Sequence, residues 1–187
     1  MRKTLVGFVC LFFIHYSGFG QDGNLPLDEQ KNAVYSDVAS LEQTKNVLFE
    51  NAQKWVVKSF GNYENAVDSQ DKASGKLVIK TYAPITSAAY EYLRFTMTIR
   101  CEENKYQVVV NDLEGIAKSQ RITRLGKRQN DAILEKAVLV KTESSRRKKA
   151  VVENELEEMK ADNERVSQTI YSLMASLKQI MIEKAGE

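Results

Sequence analysis

The chain has 187 residues, 43% hydrophobic and 28% charged, with one histidine and two cysteines. Its 27 basic and 25 acidic residues leave a formal charge of +2, too near balance to select a partner by overall basicity. So few histidines and cysteines cannot build a several-ligand zinc site.

Arg2 and Lys3 precede an apolar run from Leu5 to Tyr16, and Gly18 and Gly20 put small residues at −3 and −1 of a cut before Gln21. This is the layout of a secretory signal peptide, and the run is shorter than the roughly 20 residues of a membrane span. Residues 1–20 are therefore expected to leave, placing the protein in the periplasm or outside the cell with no transmembrane span. His15, Cys10, Arg2 and Lys3 would leave with them. The remaining chain would have no histidine, one thiol (Cys101), and 27 − 2 = 25 basic against 25 acidic residues. Ser-His-Asp and Cys-His catalysis are then excluded. Cys10 is not a lipidation site, because Val9 precedes it and the apolar run continues beyond it. The 187 − 20 = 167 residues left fit one domain that needs no disulfide. Cys101 ends a strand-like run and reads as a buried, inert thiol, with an intermolecular disulfide as the alternative.

Residues 21–32 are polar, contain Gly23 and Pro26, and read as a flexible leader. A core is expected over 33–114. Ala33–Val38 suits a first strand. Ser40 and Gln43 have the spacing of a capping box. Val47, Leu48, Ala52, Trp55, Val56 and Phe60 then recur at helical spacing up to a Gly61 stop, with Trp55 as core anchor. The period changes to two for a strand around Tyr63–Asp68, a turn at Asp71–Gly75 and a strand over Leu77–Tyr82. From Tyr90 to Arg100, Leu93, Phe95, Met97 and Ile99 fall on one face, and Tyr92, Arg94, Thr96, Thr98 and Arg100 on the other. A turn at Glu102–Lys105 and a return strand over Tyr106–Asn111 complete a hairpin. Helices on one face of an antiparallel sheet, an α+β fold, bury both apolar surfaces.

Residues 115–142 read as a basic connecting segment in which Ala132–Leu134 and Ala137–Val140 suit either helix or strand. A long C-terminal helix is expected over 143–185. Val152, Leu156, Met159, Val166, Ile170, Leu173, Leu177 and Ile180 step by four and three, with Asn163 in the gap. That is a coiled-coil heptad with a register-setting Asn, so Leu156, Met159, Asn163 and Val166 form a candidate homo-oligomer seam. Met174, Met181 and Ile182 widen the stripe, which assigns the second half of the helix to the core. The first half would project or pair with another chain.

The helix end Trp55-Val56-Val57-Lys58-Ser59-Phe60, the turn Asp71-Lys72-Ala73-Ser74-Gly75-Lys76, the strand Phe95–Cys101 with Lys105-Tyr106 after its turn, and the helix Ile170–Leu177 together resemble one bacterial family. It is a domain-of-unknown-function family with a TBP-like fold, found in secreted and envelope proteins, largely of Bacteroidetes-type bacteria. The resemblance covers Val34–Asn111 and Val166–Met181; Glu114–Arg165 is unmatched. It implies the order β-α-β-β-β-β-α and export. It implies no reaction, cofactor or catalytic residue.

Nothing in the residues supplies a phosphate-binding glycine loop. Carboxylates remain. Asp112 with Glu114, and Asp68 with Asp71, lie near strand ends, where acid–base or calcium chemistry competes with ordinary solvated turns. From Lys118 to Lys149 there are 11 basic and 3 acidic residues, and from Ala150 to Arg165 there are 6 acidic and 2 basic. Arg146, Arg147, Lys148 and Lys149 are candidates for anionic lipid or polysaccharide, or form a solvated helix start; nucleic acid is not expected outside the cell. The wet sheet face is the candidate binding face: in register, Lys80, Tyr82, Tyr92, Arg94, Thr96, Thr98, Arg100 and Gln107 share it. Tyrosine and arginine among threonines suit a protein or glycan partner, and suit an ordinary exposed sheet equally. The expected function is an exported, non-enzymatic binding or assembly module of the cell envelope, without cofactor or metal. The alternatives are a carboxylate-based hydrolase and a binder of anionic surfaces through residues 118–149.

Overall fold

A computed structural model describes residues 22–183. The expected signal peptide, with Cys10 and His15, lies outside the described residues. Ten elements follow in order: β1 (Tyr35–Ser40), α1 (Lys45–Phe60), α2 (Tyr63–Ala66), β2 (Val67–Asp71), β3 (Lys76–Pro84), β4 (Tyr92–Glu102), β5 (Lys105–Ile116), β6 (Ile122–Arg124), α3 (Lys127–Thr142) and α4 (Arg146–Met181). The strands form one antiparallel sheet in the order β1-β5-β4-β3-β2, with β6 also paired to β5. This is the expected α+β architecture with a long C-terminal helix.

The alternation read in β4 is the organising feature. Leu93, Phe95, Met97, Ile99 and Cys101 are buried, and the residues between them are not. Leu77 and Ile79 of β3 and Tyr106, Val108 and Val110 of β5 continue the buried face. Helix α1 and the second half of α4 cover it. Trp55 is fully buried, donates to Ser176 Oγ at 2.8 Å and meets Phe60 edge-on at 5.4 Å between ring centres. From α4, Val166, Ile170, Met174, Leu177, Ile180 and Met181 enter the same core. Burial pushes the Cys101 thiol up to about 12, so it is an inert core group.

Several local expectations change. Helix α1 starts later than the Ser40 capping box, because Thr44 is the cap, accepting from Val47 N at 3.4 Å. Leu41 and Gln43 instead bond the backbone of Asn104 in the β4–β5 turn. The strand expected at 63–68 begins as the helical turn α2, because the Asn62 side chain caps Asn65 N. Strand β5 runs on to Ile116 through a bulge at Asp112, whose φ is +50°. Asp112 and Leu113 together oppose Phe95, which returns Leu113 to the core. The segment 115–142 is not a mere connector: it finishes β5 and forms β6 and α3.

Two larger corrections concern residues 21–32 and the heptad. From Asp22 onward the leader is a seated strap. Leu25 is buried, and Asn130 of α3 donates to its carbonyl and accepts from its amide, both at 2.9 Å. Leu27 bridges Ala33, and Asn32 bridges Gly126. Asn163 is 3% exposed and donates to Gly23 O at 2.8 Å. The residue expected to set register between chains therefore holds the strap of its own chain. Leu156 and Val166 are also buried within the chain and Met159 is partly so, with α3 packed antiparallel on the first half of α4. The candidate seam is thus consumed internally. Among the described residues no helix is long and apolar enough to cross a membrane.

Candidate functional site

The two covering helices lie on the buried face, which leaves the other face of the sheet open. Cross-strand partners share a face, so the register fixes its layout. Gln107, Arg100 and Lys76 form one row across β5, β4 and β3; Val109, Thr98 and Val78 form the next. Asn111, Thr96 and Lys80 follow, then Glu114, Arg94 and Tyr82, and finally Ile116, Tyr92 and Pro84. All eight residues of the expected face, Lys80, Tyr82, Tyr92, Arg94, Thr96, Thr98, Arg100 and Gln107, are brought together here.

The face has two chemically distinct ends. At one end Glu114 is clamped by Arg94, and Asp112 is bonded by Arg124 at 3.1 Å. Arg124 also donates to Asn32 Oδ1, which ties the strap to β6. The Tyr82 hydroxyl, then the Glu114 carboxylate, hold the Arg94 guanidinium above its ordinary pKa. At the other end Lys76 and Arg100 are exposed, as is Lys80 in the middle row, and among the described residues none of the three forms an ion pair. Between the ends, the amide oxygen of Asn111 is buried with no hydrogen-bond partner. Lys76, Val78, Val109 and Asn111 are members of this face beyond the expected set. The two-residue turn at Glu103–Asn104 and the hairpin register after Gly75 carry the signal that finds them.

Three of the candidate carboxylates have structural partners. Asp112 and Glu114 are each engaged by a different arginine. Asp71 accepts from Ala73 N and Ser74 N, and its bonds with Ser74, side chain first, hold it below its ordinary pKa as a turn cap. A shallow groove of about 480 Å³ runs between residues 83–86 and α4, lined by Arg165, Gln168, Thr169 and Ser172, and includes none of these acids. Among the described residues no group of three or more His, Cys, Asp or Glu side chains is placed to hold a metal. Arg146, Arg147, Lys148 and Lys149 are not on the sheet face but in the first turn of α4, just after its connection from α3.

Residues 35–114, β1 to the end of the bulge in β5, match the model of a family described as a domain of unknown function (DUF4468) with TBP-like fold. A crystal structure of a DUF4468 family protein from Bacteroides ovatus is similar at a TM-score of 0.55 and 13% identity, covering 90% of this chain and 95% of that one. A TBP-like protein from Parabacteroides distasonis is similar at a TM-score of 0.51 and 16% identity, covering 82% and 96%. Among curated proteins, none matches. The structural likeness reaches beyond residues 35–114 into the helices that follow.

Proposed function

We propose that this chain, whose residues 35–114 match the DUF4468 family, is an exported, non-enzymatic binding module of the cell envelope whose open sheet face receives a protein partner. The observation that carries this reading is the composition of that face. Three exposed cations without an ion pair among the described residues share it, Lys76 and Arg100 at one end and Lys80 in the middle row beside Thr96, while exposed Tyr82 and Tyr92 stand at the other end. Tyrosine loses little entropy on contact, and tyrosine and arginine supply both apolar area and directed hydrogen bonds. The three cations favour an acidic segment on the partner. The carboxylate-hydrolase alternative receives no support from the acids, which are held by arginines or in a turn.

Capture from envelope extract tests this. The protein should retain a defined partner that is lost when Lys80→Glu and Arg100→Glu are combined and kept when Lys58→Glu is made on the helical side. Equal capture by both variants would remove the sheet face from the proposal.

A further inference from the structure

The open sheet face does not account for the groove at the end of β3. Strand β2 pairs with β3 only over Lys76–Ile79. Beyond Ile79, β3 has β4 on one side and, among the described residues, no strand on the other. The ladder fixes which backbone groups face that open edge. Cys101 N donates to Gly75 O at 2.8 Å and Ile85 N to Glu91 O at 2.9 Å, and the register between these two bonds runs without a shift. Bonding alternates along an antiparallel pair, so the odd-numbered residues of β3 bond β4 and the even-numbered ones turn away from it. Tyr82 therefore presents both its N–H and its C=O at the open edge, and Pro84 presents its C=O. Proline in a strand belongs where its missing donor faces no partner, and Pro84 obeys that rule.

This edge is one wall of the groove of about 480 Å³, and α4 is the other. The α4 wall is polar: Arg165, Gln168, Thr169 and Ser172 stand there beside the buried Val166 and Ile170. Asp162, one turn before Arg165, accepts from Ala88 N at 2.9 Å, which sets Arg165 at the Thr86 end of the groove. Among the described residues Arg165 forms no ion pair. From Arg165 to Leu173 the helix rises about 12 Å, the length of about four extended residues.

A ligand for this groove has to meet backbone donors and acceptors spaced as in a strand, with a cation at one end. An extended peptide meets both: it adds a strand to the edge, and its alternate side chains point to α4. The unpaired guanidinium selects a carboxylate among those side chains. A second copy of this chain fits less well, since pairing two β3 edges would bring two Pro84 residues, each without a donor, into one short ladder.

We propose that the groove between the end of β3 and α4 is a docking site for an extended peptide segment of a partner, which adds a strand at Tyr82 and Pro84 and places an acidic side chain on Arg165. The proposal is independent of the sheet-face reading, because α4 lies on the opposite side of the sheet from that face.

The test uses the chain from Gln21 onward, which holds every described element, and a phage-displayed library of short random peptides. Selection should enrich peptides with an acid at one fixed position, and the best of them, made with a fluorescent label, should bind in polarisation measurements. Arg165→Glu should weaken that binding by at least about tenfold, from loss of a charge-assisted bond. Ser172→Trp, which fills the groove at unchanged charge, should weaken it too, and Arg100→Glu on the open face should not. All three positions are exposed, and unchanged circular dichroism establishes that the variants fold. N-methylation of one peptide amide at a time reads the added strand itself. Every second N-methyl group should weaken binding by at least about fivefold and those between should have no effect, since only alternate amides face β3. No enriched peptide, binding that ignores Arg165→Glu or Ser172→Trp, or N-methyl effects without a period of two overturns the proposal. So does loss of binding in Arg100→Glu, which would put the peptide on the open face. A dimer in light scattering that Ser172→Trp abolishes also overturns it, making a second copy the occupant.

Discussion

Buried asparagines decide how the helices are fixed. Asn51 is 1% exposed on α1, and its amide donates to Glu183 O at 2.8 Å, beside a second bond to the same carbonyl from Gln43. The chain leaves α4 at the Ile182 cap, and Asn51 of α1, with Gln43 just before that helix, holds the residue that follows. Asn51→Leu keeps the volume and removes the donor. Urea denaturation should show a loss of about 0.5–1.5 kcal/mol, the net worth of one hydrogen bond, since Gln43 still bonds the Glu183 carbonyl; an unchanged midpoint would mean that the C-terminus of α4 is not held this way. Gly75 makes a second residue-scale case. Its φ is +70°, and an added Cβ would fall 2.1 Å from the Cys101 carbonyl oxygen. Gly75→Ala should cost more than about 1 kcal/mol from backbone conformation alone, with the displaced β4 backbone adding to it. Gly75 is legible from its turn cluster. Asn51 and Asn163 are not, since each bonds a backbone carbonyl more than a hundred residues away. Helical spacing records that a position faces inward, not what it meets there.

Among the elements, those with a strong period are legible in the sequence and those made by long-range contact are not. The β4–β5 hairpin and α1 follow from alternation and helical spacing, and the eight residues of the open sheet face follow from that register. The strap does not. Its polar composition suits a loop in water, and it is ordered only because Asn130, Asn163, Gly126 and β6 present partners from the far half of the chain. The heptad misleads for a related reason: a stripe of period 3.5 fits α3 and the strap of the same chain as well as a second chain. The hairpin that results is held by few buried groups, so it should open more readily than the sheet. Amide hydrogen exchange should show α3 losing protection well before β4 and β5. Asn130→Ala, which removes both bonds to Leu25, should accelerate exchange in the strap and in α3 together. Uniform protection across α3 and β4 would contradict a separately stabilised hairpin.

For the whole molecule, the core is closed by groups that must stay uncharged. Burial, the largest cause in each case, pushes Tyr35, Tyr106 and Cys101 up to about 12. The ordinary values from which they start are 10.0 for the tyrosines and 9.0 for the thiol. The three sit on β1, β5 and β4, so one pH change acts on three adjoining strands. The folded state holds these protons more tightly than the unfolded chain. Their contribution is therefore fully present below pH 9, begins to fall as the unfolded thiol ionises, falls more steeply above pH 10, and is lost as pH approaches 12. Every tenfold difference in proton affinity between the folded and unfolded chain is worth about 1.4 kcal/mol. Three such groups remove several kcal/mol from a domain whose total stability is on the order of 5–15 kcal/mol. Urea midpoints should thus be level with respect to these groups between pH 7 and 8.5 and drop continuously from pH 9 to 12. Tyr35→Phe, which removes one of the three protons along with its bond to Ser167, should be less stable than the parent at pH 8 and lose less between pH 10 and 12. A variant curve parallel to the parent curve over that interval would show that Tyr35 does not carry the alkaline transition.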